Sequence, residues 1–171
     1  MIRGLLARLT GEPKRGQALF DLAVAEARQT HWFIQGQVPD TIEGRFAVLA
    51  TVIALLTLRL ERGGADGDKA TVALTERFVD AMDTEIREMR VGDPGLGKQV
   101  RRLVGALAGR VERWRSVVES GEGWMAEVEQ SLYRDEAMDA KAVRHSEAAL
   151  RDFWRRLGGS KVEELAQGRG G

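Results

Sequence analysis

The sequence predicts an all-α protein, a single-domain bundle of about six main helices. Three observations carry this. Apolar residues recur at helical spacing along almost the whole chain. No stretch alternates polar and apolar residues as a half-buried strand would. Glycine, proline and aspartate fall where helices should start and stop. At 171 residues the chain suits one domain, and a domain of this size can bury a sizeable core.

Residues 1–12 are expected as a short amphipathic segment, with Ile2, Leu5, Leu6 and Leu9 on one side and Arg3 and Arg8 more polar. The segment lacks the apolar length and small-residue cleavage site of a secretory signal. The helical domain should run over 13–157, followed by a flexible, glycine-rich tail at 158–171. The first helix is expected near 14–35, where Phe20, Ala23, Val24, Ala27 and His31 share a face. Pro39 breaks it. Asp40 then offers an N-cap, and Glu43 three residues later completes a capping-box pattern. The second helix should cover about 41–62 and stop at Gly63-Gly64. Its run from Phe46 to Leu58 is interrupted only by Thr51 and Thr57. That run is shorter than the ~20 residues needed to cross a bilayer, so it reads as a buried core helix.

A third helix is expected near 68–90. Leu74, Phe78, Met82, Ile86 and Met89 form its apolar stripe. Glu76, Asp80, Asp83, Arg87 and Arg90 form a charged one, acidic first and basic last, which complements the helix dipole. Asp83 and Arg87 are also a favourable i,i+4 pair. Gly92 suits the left-handed position past a helix end, Asp93 an N-cap and Pro94 the first helical position. The fourth helix, near 94–119, shows a regular stripe of Val100, Leu103, Val104, Leu107, Val111, Trp114 and Val118. Gly121 and Gly123 break the chain, and two further helices are expected near 124–134 and 135–157.

Composition excludes several functions. Lys+Arg and Asp+Glu number 26 each, for zero net charge. A general nucleic-acid binder needs a basic excess to neutralise phosphates, so no nucleic-acid partner is expected. The chain has no cysteine. Disulfides, thiolate metal sites and a cysteine nucleophile are therefore ruled out, and the cytosol is the natural compartment.

Gly92 to Lys98 fits G-x-x-x-x-G-K, but a helix precedes it and Gln99 stands where a phosphate-binding loop needs Ser or Thr. A helix–helix turn accounts for Gly92, Asp93 and Pro94 together. Asp80 and Asp83, with Glu76 and Glu85, lack the histidines a transition metal would want. The chain's two histidines, His31 and His145, lie in no Glu-x-x-His pattern. No Gly-x-Ser-x-Gly occurs. Neither catalysis nor a cofactor is expected, and no metal. The rings of His31, Trp32 and Phe33 suit either core packing or a partner platform. Lys98, Arg101, Arg102, Arg110, Arg113 and Arg115 suit either a solvated face or a docking surface for an acidic partner or headgroups.

One resemblance is specific. The block Val38 to Phe46 and the block Met82 to Asp93, in that order and followed by Gly97-Lys98, resemble the ubiquinol–cytochrome c chaperone family. Trp32-Phe33, Arg59-Leu60, Asp80 and Gly109-Arg110 support the match, which spans roughly Phe20 to Arg113. The chain departs from the family pattern at Arg90, where Gly is usual, at Thr51-Val52, where Leu-His is usual, and at Pro94.

The resemblance implies a non-enzymatic assembly factor for the cytochrome bc1 complex. Its client would be newly made cytochrome b or another bc1 subunit, held on a helical surface. A bacterial member would act in the cytoplasm, with at most a weak peripheral contact at the cytoplasmic face of the inner membrane. The landmarks place that surface at Trp32 and Phe33, at Asp40, Thr41, Glu43 and Arg45, and at Asp80, Asp83, Arg87 and Glu88. Asp93, Lys98 and Arg110 complete it. These acids and bases could equally pair internally to fix helix positions. The alternative from another class is a small-molecule or haem-binding bundle, with a pocket of Trp32, Phe33, Phe46 and Met82 and His31 as axial ligand. Oligomeric state is left open.

Overall fold

The computed structural model describes residues 14–89, 95–134 and 138–170. Among them every regular element is helical. In order they are α1 (Gln17–Ala27), a 3₁₀ turn (Thr30–Trp32), α2 (Ile42–Glu61), α3 (Gly64–Met89), α4 (Leu96–Ser120), α5 (Trp124–Val128), a π-helical turn (Glu129–Tyr133), α6 (Ala140–Gly159) and α7 (Val162–Ala166). The all-α bundle expected from periodicity is the fold observed.

Helix α2 is its axis. Val48, Val52, Ile53, Leu55, Leu56 and Leu60 are all buried, and so is the polar Thr51. The helix packs against α1, α3, α4, α6 and the π turn. A helix surrounded by neighbours has no solvent face to pattern, which is why the Phe46–Leu58 run is apolar without a stripe. Thr51 is tolerated inside because its Oγ1 donates to the Ala47 carbonyl at 2.7 Å, so its own buried hydroxyl is satisfied.

Helix α3 starts at Gly64, before the expected boundary, so the small acidic stretch Ala65–Asp68 forms its first turn instead of a loop. The reversal from α2 needs only Arg62 and Gly63, because Gly64 takes a left-handed backbone at φ +61, open to glycine without steric cost. The antiparallel hairpin brings Phe46 of α2 to 6.0 Å from Phe78 of α3. The beginning of α2 thus lies beside the later turns of α3.

Other boundaries also differ from expectation. α1 ends at Ala27, short of residue 35, and the chain tightens into the 3₁₀ turn. α6 begins at Ala140, capped by Asp139, whose carboxylate accepts from the Lys141 amide at 3.0 Å, and not at residue 135. The helix expected near 124–134 is α5 followed by a π turn, ended by Arg134 at φ +49. The turn Val91–Pro94, with the caps assigned to Gly92 and Asp93, lies outside the described residues.

The chain after Leu157, expected as a flexible tail, packs on the bundle. Val162 and Leu165 of α7 are buried in the core. Arg59 at the end of α2 donates to the carbonyls of Leu157 at 2.9 Å and Ser160 at 2.6 Å. The Leu157 carbonyl also accepts from the Ser160 amide at 3.2 Å, so Arg59 gives it a second donor and ties the cap residue Ser160, just past the end of α6, to α2. Two apolar residues and one capping arginine dock a segment that composition alone marks as loose.

Candidate partner-binding surface

The loop between α1 and α2 is pinned from three sides. Trp32 is fully buried, and its indole N–H donates to the Glu26 carbonyl at 2.9 Å. The Gly36 amide donates to the His31 carbonyl at 2.8 Å, and the Val38 amide to the Trp32 carbonyl at 3.0 Å. From the π turn, the buried Tyr133 hydroxyl donates to the Gly36 carbonyl at 2.5 Å and meets Ser146 Oγ at 2.7 Å. From α6, His145 Nε2 lies 3.1 Å from His31 Nδ1. Gly36 fits because a Cβ there would stand 2.6 Å from the Trp32 carbonyl and 2.7 Å from Ser146 Oγ. So held, the loop leaves Ile34 66% exposed and Ile42, at the start of α2, 58% exposed. Phe33 packs partly buried against the core.

The cap of α2 is not Asp40. Thr41 is the N-cap residue, its Oγ1 accepting from the Gly44 amide at 3.1 Å. Asp40 instead accepts from Arg45 Nε at 2.7 Å on the open surface. That hydrogen bond holds the Asp40 carboxyl below its ordinary range and the Arg45 guanidinium above its own. Register decides the cap: Thr41 has the extended backbone of an N-cap, one residue later than the capping box requires. Thr41→Ala should therefore cost about 1 kcal/mol. Asp40→Ala should stay within about 0.5 kcal/mol, since exposed pairs contribute little. Urea denaturation of the two variants checks this, and a reversed order would return the cap to Asp40.

On α3, Asp80 pairs with Arg77 at 3.1 Å and with Lys14 at 3.6 Å. Asp83 accepts from Arg87 at 2.7 Å, as the i,i+4 spacing predicts. Glu43 and Glu88 are exposed, as is Lys98 near the start of α4. Because α2 and α3 are antiparallel, the Thr41–Arg45 turn and the Asp80–Glu88 turns sit toward the same end of the bundle. Asp93 lies outside the described residues.

Of the basic face expected on α4, Arg110 turns inward and Arg113 and Arg115 are half-buried in ion pairs. Arg110 is buried, 8% exposed, and its Nη2 donates to the Ser131 carbonyl at 3.0 Å. Arg113 Nε donates to both carboxylate oxygens of buried Glu127, at 3.0 and 3.3 Å. Ser131 Oγ donates to Glu127 Oε1 at 2.7 Å and accepts from the Trp114 indole at 3.1 Å. Burial first, then repulsion by Arg113 and Arg134 against attraction by Glu127, push Arg110 down to about 10. Arg115 binds Glu61 at 2.5 Å and Glu112 at 3.2 Å. Lys98, Arg101 and Arg102 are the exposed remainder. Arg110, expected on the partner surface, is a core cation, and buried Trp32 is an anchor beneath that surface.

The ligand-pocket reading loses its parts. Trp32 is packed, Phe46 lies against Phe78, and His31 is occupied by His145. A hollow of about 230 Å³ lies elsewhere, lined by Leu58, Glu61, Arg62, Arg115, Val118 and Glu119. Among the described residues no group of three or more His, Asp or Glu converges on a metal position. No helix there is long and apolar enough to cross a membrane. Sequence reasoning missed exposed Ile34 and Ile42, the paired histidines and the Glu127 network. Ile34 was readable as an apolar residue directly after the Trp-Phe anchor. The other two depend on contacts across the bundle.

Fold and surface together define an all-helical scaffold that presents one end of its bundle, with a pinned loop carrying exposed apolar side chains. Residues 35–170 match the model of the ubiquinol–cytochrome C chaperone family. The chain belongs to that family. Its fold is similar to the crystal structure of the Cbp3 homolog from Brucella abortus, with a TM-score of 0.77 over 98% of this chain and 94% of that one, at 24% identity. At this identity the likeness establishes the fold. No curated protein matches the chain. Family membership supports the coarse role of an assembly chaperone for the ubiquinol–cytochrome c complex, and it implies a client protein.

Proposed function

We propose that the chain holds newly made cytochrome b, through the bundle end formed by the Phe33–Arg45 loop and the later turns of α3. The observation carrying this reading is the exposure of Ile34, 66%, on a loop whose backbone is fixed from three sides, and of Ile42, 58%, at the start of α2 that follows it. A rigid loop offers apolar area without a large ordering cost on binding, and an apolar segment of a membrane protein is a fitting occupant. Arg45 and Arg87 on the same end, paired with exposed Asp40 and half-buried Asp83, can exchange those partners for client polar groups. Arginine is favoured at such binding hot spots. A chaperone that holds a membrane client would act at the cytoplasmic face of the inner membrane, attached peripherally. Carbonate washing should then release it from the membrane pellet.

The test is affinity purification of the tagged chain from its native membranes, with and without the pair Ile34→Ser and Ile42→Ser, and separately with Arg45→Ala and Arg87→Ala. All four positions are exposed, so folding should be little affected, within about 0.5 kcal/mol per site. Recovered cytochrome b should fall about fivefold or more, the equivalent of about 1 kcal/mol at a hot spot. Undiminished recovery from both pairs of variants, at normal abundance, would remove this end of the bundle as the client surface.

A further inference from the structure

The chain has two histidines, 114 residues apart in sequence, and the fold brings them together. His31 lies in the 3₁₀ turn that opens the α1–α2 loop and His145 in α6. Their ring centroids are 5.2 Å apart, in an edge-on arrangement, with Nδ1 and Nε2 at 3.1 Å. We infer that this pair is a proton-sensitive latch, which holds the Trp32–Thr41 loop to α6 at neutral pH and loosens it on acidification.

The bridge needs one N–H and one lone pair. Two neutral rings supply them. One added proton leaves the bridge intact, since an imidazolium N–H donates to a neutral ring. A second added proton removes the last lone pair and sets two N–H groups and two like charges against each other. Burial first, then the charge of His145, lower the proton affinity of His31.

Among the described residues no carboxylate bonds to either ring. Glu26 of α1 is taken by Arg156 at 3.2 Å and by Gln29 at 2.8 Å. Glu147 of α6 is taken by Arg151 at 2.9 Å. Arg144 of α6 is exposed, and Tyr133 of the π turn is bonded to Gly36 and Ser146. The Trp32 ring, 4.4 Å from His31, covers its other side.

Because the folded affinity of His31 is depressed, the unfolded chain binds more protons below the ordinary value of 6.5. The stability of the neutral pair is complete above that value and is lost as pH falls from it toward the lowered folded value. The loss should be local, because the Gly36 amide bonds to the His31 carbonyl and the Val38 amide to that of Trp32. The latch would exist whether or not the loop meets a client, so a failed client test leaves it standing.

Amide hydrogen exchange of the full chain, between about pH 7.5 and about pH 5, reads the latch directly. The protection factors of Gly36 and Val38, taken relative to core amides of α2, should fall as pH drops below 6.5. The fall should approach about tenfold per pH unit, the limit for one linked proton. His145→Gln keeps a partner for His31 and removes the second titrating ring, so its loop protection should fall clearly less over the same range, by only the part that burial of His31 sustains. In the unaltered protein, ring chemical shifts should show a coupled titration with one step displaced below the ordinary histidine value. Flat loop protection in the parent, an equal fall in His145→Gln, or two independent ordinary titrations would each overturn the latch.

Discussion

Glu127→Ala should destabilise the fold by about 2–3 kcal/mol, below the range for a fully buried ion pair because Arg113 is partly exposed, but large because a buried cation and a buried hydroxyl lose their compensation. Glu127 is 6% exposed and anchors the junction of α4, α5 and the π turn. It accepts from Arg113 and from Ser131 Oγ, and its charge is the attraction that opposes repulsion of Arg110 by Arg113 and Arg134. Without it, Arg113 can turn to water, since its side chain is 37% exposed. Arg110 cannot, so the cost falls mainly on this buried cation, whose Nε already lacks a partner. Glu127→Gln keeps the acceptor for Ser131 and removes only the charge, so it should fall between Glu127→Ala and the parent. Guanidinium denaturation measures both. A loss below about 1 kcal/mol for Glu127→Ala would mean that Arg110 is hydrated in place and that its charge needs no neighbouring carboxylate, as for an exposed ion pair.

The second large effect is expected at Gly67, in the first turns of α3. A Cβ there would lie 1.8 Å from the Leu60 carbonyl oxygen, a backbone atom of α2 that has no rotamer to change. Gly67→Ala must therefore part α2 from α3 at the tight end of their hairpin. The cost should reach or exceed the upper part of the usual overpacking range, about 3 kcal/mol. In a chain of this size that corresponds to a melting temperature lower by about 6–12 °C. Gly105 is the control. It sits at an exposed position of α4, and its Cβ would meet nothing within 4 Å, so Gly105→Ala should stabilise by up to about 1 kcal/mol through helix propensity. Thermal unfolding of the two variants side by side checks the contrast. Equal effects would show that the α2–α3 contact yields easily.

Reading the chain alone went far because helices announce themselves locally. The 3.6-residue stripes of α3 and α4, the stop at Gly63-Gly64 and the Asp83–Arg87 pair depend on residues a few positions apart, so a sequence pattern contains them. The same holds for α2, whose stripeless apolar run could only be a helix buried on all sides. The family resemblance rested on ordered landmarks, and a match over residues 35–170 bears it out.

Where the reading failed, the deciding contact was distant or turned on a single residue of register. Thr41 rather than Asp40 caps α2 because the chain leaves extended geometry one residue later than the capping box requires. Arg110 looks like its exposed neighbours Arg101 and Arg102 until the π turn, 21 residues on, covers it with the Ser131 carbonyl. The glycine-rich end looks loose until Arg59, 98 residues earlier, caps the Leu157 carbonyl. His31 and His145 carry no local mark of partnership, and only the packing of α6 beside the loop sets them 3.1 Å apart. Periodicity and caps are short-range properties of a chain, so the sequence by itself determined which segments are helices and which family they serve. Burial and charge pairing are properties of the folded surroundings, so only the tertiary structure decided which charged side chains hold the bundle together and which remain exposed to meet a partner.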